Sequence, residues 1–235
     1  MSRKGQIDGI ALASGGLDSS TVLAIAVSEG HRPLPLTFSY GQKHSIEIES
    51  ARAVARSLDL PEPLVLSLPF GEIGGSALLG DGAIPEEPAL GATSREGIPS
   101  TYVPARNLVF LSVAVATAES RGVRDIWIGV NALDFSGYPD CRPEFLDAFF
   151  KAAERGTREG STSSEPWWRL RAPLVELTKA EIIQRGTELG LDHSLTISCY
   201  DPDPAGRACG RCDSCGLRRR GFEEAQVADP TFYRQ

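Results

Sequence analysis

Short apolar runs alternate along the chain with longer segments whose apolar positions recur at helical spacing. Ile10-Ala11-Leu12-Ala13 reads as a strand. It breaks into the polar, glycine-containing stretch Ser14 to Ser20, and the pattern turns helical from Thr21 to Ser28. Pro35 to Tyr40 predicts a second strand, Ser45 to Leu58 an amphipathic helix, and Pro63 to Leu68 a third strand. Residues 71–100 are rich in Gly, Pro and Ala with weak periodicity and read as an irregular excursion, either a lid or an inert loop. Asn107 to Ser120 predicts a helix, Ile126 to Val130 a short buried strand, and Asn131 to Cys141 a loop. Pro143 to Arg155 returns to helix, Thr157 to Glu165 reads as a polar, mobile connection, and Lys179 to Leu189 is the last helix before a cysteine-rich tail. Strand and helix in alternation imply an α/β fold with a doubly wound parallel sheet. The expected division is one α/β domain over residues 1–195, with residues 196–235 a cysteine-bearing segment packed on it. No internal repeat is visible.

Composition narrows the class. The 235 residues are 41% hydrophobic and 23% charged, an ordinary globular balance. No apolar stretch reaches the roughly 18–20 residues that span a bilayer, and Met1-Ser2-Arg3-Lys4 leads into a strand rather than a secretory apolar core, so the expected location is cytoplasmic. A formal net charge of −7 disfavours broad adhesion to nucleic acid, which needs a basic face. Arg207, Arg211, Arg218, Arg219 and Arg220 nevertheless cluster near the end of the chain, as a solvated helix face or as an anion site.

The stretch Ser14-Gly15-Gly16-Leu17-Asp18-Ser19-Ser20 sits between a strand and a helix. Glycines let backbone amides approach an anion, and a helix N-terminus adds roughly half a positive charge, an arrangement suited to pyrophosphate. It lacks the Gly-Lys-Ser/Thr ending of the mononucleotide loop and the G-x-G-x-x-G of dinucleotide folds. It resembles instead the SGGxDS loop of enzymes that split ATP between the α and β phosphates. The plain alternative is a Ser/Gly turn before a helix.

Cys199, Cys209, Cys212 and Cys215 form a second signal, with glycines 206, 210 and 216 nearby to allow sharp turns. Four thiolates close a tetrahedral zinc shell and leave no open position, so such an ion would be structural. A disulfide or redox cluster and an iron–sulfur cluster are the competing readings. Cys141 stands apart, as a nucleophile or a buried structural thiol. The loop Asp134-Phe135-Ser136-Gly137-Tyr138-Pro139-Asp140-Cys141-Arg142 follows a strand at its carboxyl end, where open α/β sheets bind ligands, although Ser-Gly and Tyr-Pro also make an ordinary polar turn.

Five motifs in order resemble the 7-cyano-7-deazaguanine synthase family: Ser14 to Ser20, Tyr40-Gly-Gln-Lys-His44-Ser-Ile-Glu47, Tyr102-Val-Pro-Ala-Arg106-Asn107, Asp134 to Arg142, and Cys199 with the three-cysteine cluster. Together they span nearly the whole chain. Leu17 occupies the variable position of the loop, and Gly156 to Trp168 carries no recognisable motif.

The resemblance implies a Rossmann-like ATP-pyrophosphatase fold, a homodimer and the small-molecule substrates 7-carboxy-7-deazaguanine, ATP and ammonia. It implies that two ATP are split to AMP and pyrophosphate as the acid becomes first an amide and then a nitrile. It assigns ATP to Ala13, Ser14, Gly15, Gly16, Leu17, Asp18, Ser19, Ser20, Thr21, Val22 and Leu23, with Asp18 near Mg2+. Lys179 and Arg106 resemble phosphate-contacting positions, or are surface charges on helices. Phe38 and Tyr40 flank adenine or belong to the core. Asp134, Tyr138, Asp140 and Arg142 are expected at the deazaguanine base and its carboxylate, and Cys199, Cys209, Cys212 and Cys215 at one Zn2+. His44 is a candidate for proton handling, against the commoner structural histidine. Rival functions are a tRNA-modifying relative, a zinc-dependent DNA-binding regulator, and a homologue that conjugates the activated acid to another nucleophile.

Overall fold

The computed structural model describes residues 5–40, 46–79, 98–131 and 137–234. Its centre is a parallel sheet of five strands in the order β3-β2-β1-β4-β5, formed by β1 (Gly9–Leu12), β2 (Pro33–Ser39), β3 (Leu64–Ser67), β4 (Asp125–Trp127) and β5 (Arg169–Arg171). Between and after the strands run α1 (Leu17–Ser28), α2 (Ile46–Ser57), α3 (Phe70–Ile73), α4 (Arg106–Arg121), α5 (Pro143–Gly156), α6 (Arg158–Thr162), α7 (Lys179–Glu188) and α8 (Asp213–Ala225).

The central strand shows why helices lie on both faces. Every residue of β1 is buried, and side chains alternate along it and into the residue that follows: Ile10 and Leu12 join Leu36, Ile126, Leu111 and Val115 on the α4 side, while Ala11 and the next residue but one, Ala13, join Val22, Leu23, Val54 and Ile182 on the side of α1, α2 and α7. The small alanines on the second face let α1 lie close to the sheet. No described helix is long and apolar enough to cross a membrane.

Three local expectations are corrected. Helix α1 starts at Leu17 rather than Thr21, so Asp18, Ser19 and Ser20 already lie on its first turn. The Thr157–Glu165 stretch is not a featureless connection. Thr157 caps α6, its hydroxyl accepting from Gly160 N at 3.3 Å and from Trp168 Nε1 at 3.0 Å. Strand β5 was not anticipated: its one apolar residue, Leu170, lies between two arginines, and it is placed by its pairing with β4 and by Arg171, whose Nε donates to buried Asp125 at 2.7 Å.

The cysteine-bearing segment shares its core with the sheet domain. Helix α8 lies on α7, with Phe222 and Ala225 packed against Leu17 and Ile183. The approach is so close that a Cβ on Gly221 would meet Lys179 Cγ at 2.5 Å. Farther back, Ile197 N donates to Gly15 O at 3.0 Å and ties the segment to the first loop.

Candidate active site

Strand order reverses between β1 and β4, and the crevice at their carboxyl ends is the usual ligand position of such sheets. A cavity of about 290 Å³ opens there. Ala13, Ser14, Gly16, Leu17, Asp18 and Ser19 form one wall, Phe38 and Tyr40 the end of β2, Gly129 and Val130 the exit of β4, and Arg106, Tyr138, Cys141, Lys179 and Tyr200 the remainder.

The loop after β1 organises itself. Ser19 Oγ accepts from Ser14 N at 3.2 Å and donates to Gly16 O at 3.2 Å, and Ser14 Oγ accepts from Gly16 N at 3.3 Å. Gly15 has φ +75°, and a Cβ there would meet Glu47 O at 2.5 Å, so both conformation and space require glycine. The turn delivers the first amides of α1, which have no intrahelical acceptors, to the cavity. On the first turn, Asp18 receives Lys179 Nζ on both carboxylate oxygens at 2.7 Å and Asn131 Nδ2 on Oδ2 at 3.1 Å. Lys179 is the first residue of α7, whose capping box of Thr178 and Glu181 fixes where that helix begins. Hydrogen bonds from Thr178 hold the Glu181 carboxyl below its usual range.

The opposite wall is the N-terminus of α4. Ala105, just before it, has φ 54°, a left-handed conformation uncommon for alanine, held by Tyr102 Oη accepting from Ala105 N at 2.9 Å. Asp140 is buried and accepts from Asn107 N at 2.8 Å, capping α4 from a distance, while Asn107 Nδ2 donates to Cys141 Sγ at 3.0 Å. These contacts set Arg106 among Tyr40, Tyr138, Tyr200 and Cys141. Burial works against its charge, but those four neighbours outweigh burial and its pKa lies above the usual guanidinium range. Burial pushes the Tyr40 and Tyr200 hydroxyls up, against the pull of Arg106. Among the described residues no carboxylate pairs with Arg106. The wall therefore offers hydrogen-bond donors to an anion.

Of the residues anticipated at the nucleotide, Ala13, Ser14, Gly16, Leu17, Asp18 and Ser19 line the cavity with Lys179 and Arg106. Gly15 shapes the loop from behind, and Ser20, Thr21, Val22 and Leu23 are buried in α1 away from it. Phe38 and Tyr40 line the cavity and are core residues as well, Phe38 stacking on Phe110 at 4.1 Å. Tyr138 lines the cavity, Asp140 faces α4, and Arg142 stands at the start of α5 outside the lining. Asp134 and His44 lie outside the described residues. The sequence motifs do not mark Asn131 or Tyr200 as site residues, although one follows a buried strand at its carboxyl end and the other follows a cysteine of the cluster.

The four cysteines converge. Their sulfurs all lie within 4.8 Å of one another, with Cys209 and Cys215 at 3.9 Å, and none forms a disulfide. Zinc–sulfur bonds of about 2.3 Å in a tetrahedron place sulfurs about 3.8 Å apart, so the group needs little adjustment to hold an ion. Backbone N–H groups already point at the sulfurs: Cys209 N to Cys199 at 3.1 Å, Asp201 N to Cys199 at 3.3 Å, and Cys212 N to Cys209 at 3.4 Å. Hydrogen bonds with Cys199 and Cys215 hold the Cys212 thiol far below its ordinary range, while those with Cys199 and Cys212 push the Cys215 thiol up. Such a cage can hold a metal. The nearby arginines are largely structural. Arg218 is buried, donating to Thr196 Oγ1 at 2.9 Å, His193 O at 3.0 Å and Asp229 Oδ1 at 3.2 Å, and Arg219 lies 3.9 Å above the Tyr233 ring.

Curated relatives extend over almost the entire chain. A 7-cyano-7-deazaguanine synthase of Solidesulfovibrio magneticus is 54% identical over 225 residues, covering 96% of this chain and 95% of its own. Those of Geobacter metallireducens and Myxococcus xanthus are 53% and 52% identical, covering 95% of this chain and 92% and 96% of theirs. The family described as "Queuosine biosynthesis protein QueC" matches residues 8–226, and the loop, the α4 wall and the cysteine cage all fall within that match: the chain belongs to the QueC family.

Proposed function

We propose that this chain is a 7-cyano-7-deazaguanine synthase, a ligase that converts 7-carboxy-7-deazaguanine and ammonia to the nitrile at the expense of ATP, in the formation of a queuosine precursor. The observation that carries the reading is convergence: an anion-binding loop, the Lys179–Asp18 pair and an arginine without a described carboxylate partner all face one cavity. The relatives' names support the same chemistry.

A carboxylate is a poor electrophile at neutral pH, because its charge repels a nucleophile and its oxygen leaves badly. Attack of that carboxylate on the α-phosphorus of ATP forms a mixed anhydride and releases pyrophosphate. Ammonia adds to the carbonyl carbon, AMP leaves, and an amide results. The amide oxygen attacks the α-phosphorus of a second ATP and releases a second pyrophosphate, and loss of AMP and the two nitrogen-bound protons leaves the carbon–nitrogen triple bond. No step needs a protein nucleophile, so positioning and charge stabilisation do the catalysis.

In this reading residues 13–19 hold the triphosphate, and Lys179 turns from Asp18 to the phosphates as they bind. Arg106 stabilises charge developing at the α-phosphate or the acyl oxygen. The Asp18 carboxylate, whose Oδ1 accepts from Lys179 alone among the described residues, retains a lone pair of the hard oxygen type that Mg2+ favours, and the ion would neutralise phosphate charge there. Tyr138 serves the base-binding side, Asp140 supports it through its hold on α4, and Asp134 and Arg142 are assigned to the base on the strength of the family resemblance. Zn2+ suits the four-cysteine cage, where it would be structural. A cytoplasmic homodimer completes the proposal, on the strength of the family resemblance.

Exchange of labelled pyrophosphate into ATP tests the first half-reaction. The expected result is exchange that requires 7-carboxy-7-deazaguanine and magnesium but not ammonia. Failure of the acid to promote exchange, with production of ADP instead, overturns the proposal.

A further inference from the structure

The cage and the cavity share a wall. Residues 196–200 run from Thr196, held by buried Arg218, past Ile197, whose amide donates to Gly15 O at 3.0 Å, to Cys199 of the cage. Ile197, Ser198 and Tyr200 line the cavity, and so does Ser214, between Cys212 and Cys215. The backbone of this strap is bound to sulfur on its far side: Asp201 N donates to Cys199 Sγ at 3.3 Å, and the Tyr200 amide is directed to Cys212. The Tyr200 side chain faces the other way, into the cavity beside Tyr138 and Arg106. Tyr138 Oη lies 3.0 Å from Thr101 Oγ1 on the wall beyond.

We propose that Tyr200 is a positioning residue for the acid substrate: its hydroxyl, set by the cysteine cage, orients Tyr138 and with it the donor wall around Arg106 that receives the carboxylate. The argument is one of hydrogen-bond accounting. Arg106 only donates, so the hydroxyls beside it serve as acceptors toward the guanidinium and turn their own protons elsewhere. Thr101 Oγ1 and Tyr138 Oη are 3.0 Å apart, and Tyr200 lines the same cavity beside Tyr138, so in this proposal the three hydroxyls form a row in which each fixes the rotor of the next. Removing the last member frees the direction of the Tyr138 proton while leaving every ring in place. The triphosphate side, built on residues 13–19 and Lys179, lies on a different wall and does not depend on that row. The inference rests on the proposed synthase activity and adds to it a link between the metal-binding segment and recognition of the acid.

The test compares the wild-type full-length, zinc-loaded protein with Tyr200→Phe and with Tyr138→Phe. Four quantities are read: zinc per chain, the KM for ATP, the KM for 7-carboxy-7-deazaguanine, and the dissociation constant of that acid by calorimetry without ATP. Loss of one hydrogen bond that orients groups toward a charged ligand predicts about a tenfold rise in both constants for the acid. Zinc content and the KM for ATP stay within about twofold, the size of an effect on no direct contact. The Tyr138→Phe, Tyr200→Phe double variant weakens acid binding no further than the worse single variant, because the two hydroxyls act as one row. Unchanged constants for the acid overturn the proposal, as does a parallel rise for ATP and acid or a loss of zinc, which would mark Tyr200 as structural. A wild-type protein that binds the acid but makes no AMP or nitrile from it overturns the synthase reading instead, and the proposal falls with it.

Discussion

Lys179→Met separates the electrostatic part of the site from its framework. Lys179 Nζ lies 2.7 Å from both oxygens of Asp18, and the two side chains are 16% and 24% exposed. At an effective dielectric constant of about 20, that separation corresponds to about 6 kcal/mol of raw attraction. Desolvation of two partly buried charges offsets most of it, which leaves a net contribution of about 1–2 kcal/mol, between the values for exposed and fully buried pairs. Methionine keeps the methylene stem that packs beside Gly221. Asn131 continues to hold the Asp18 carboxylate. The variant should therefore fold, with a denaturation free energy lower by about 1–2 kcal/mol and a Tm lower by about 2–8 °C for a chain of this size. Catalysis should suffer far more, because a cation placed where phosphate charge develops is worth about 3–4 kcal/mol, or about 10²–10³ in kcat. The assay is acid-dependent pyrophosphate release, followed beside urea denaturation of the same preparation. A folded Lys179→Met protein that retains activity within tenfold of wild type would refute the assignment.

Other perturbations probe separate parts of the account. Gly15→Ala places a methyl group at φ +75° and 2.5 Å from Glu47 O; thermal denaturation should show a Tm lower by about 5–10 °C, and ATP binding by calorimetry should be lost. Asp140→Ala removes the acceptor for Asn107 N and should cost about 1 kcal/mol in denaturation free energy, with activity falling further because Arg106 stands on the same helix turn. Cys212→Ser, or a strong chelator, should release the metal and lower the Tm, measured as zinc by atomic emission against the melting curve; full metal retention by the variant would contradict the four-cysteine cage. Burial and the Arg218 charge hold the His193 pKa below its ordinary 6.5, so the unfolded chain takes up this proton first. Stability at this residue is present above about pH 6.5 and declines as pH falls below it, and His193→Gln should flatten that part of the denaturation profile.

Much of the fold could be read in advance because its central elements announce themselves locally. Strand β1 is apolar throughout because it is buried on both faces, and Gly15 after it marks the place where the backbone must turn left-handed. The elements that escaped notice owe their form to partners distant in sequence. Strand β5 has a single apolar side chain and is defined by its register with β4, and Arg171 is explained by Asp125, forty-six positions earlier. The first turn of α1 was concealed because Asp18, Ser19 and Ser20 have polar side chains whose pattern suggests a loop, while their backbone already spirals. At the site, Asp18 and the loop were legible from the motif and Lys179 and Arg106 from resemblance, yet their convergence on one cavity belongs to the topology. Asp140 shows the reverse: a carboxylate in a loop expected to bind ligand is turned to a helix cap. Arg218, read as part of a charged cluster, is buried among four acceptors that no local pattern reveals.

The most direct measurement of the central claim is the stoichiometry of the complete reaction. Purified protein is incubated with 7-carboxy-7-deazaguanine, ammonium, magnesium and ATP, and both the base product and the nucleotide are followed by mass spectrometry. The account predicts the nitrile with two AMP for each molecule formed, and the amide as a transient at limiting ATP. Absence of AMP, or AMP formed without amide or nitrile, would contradict it.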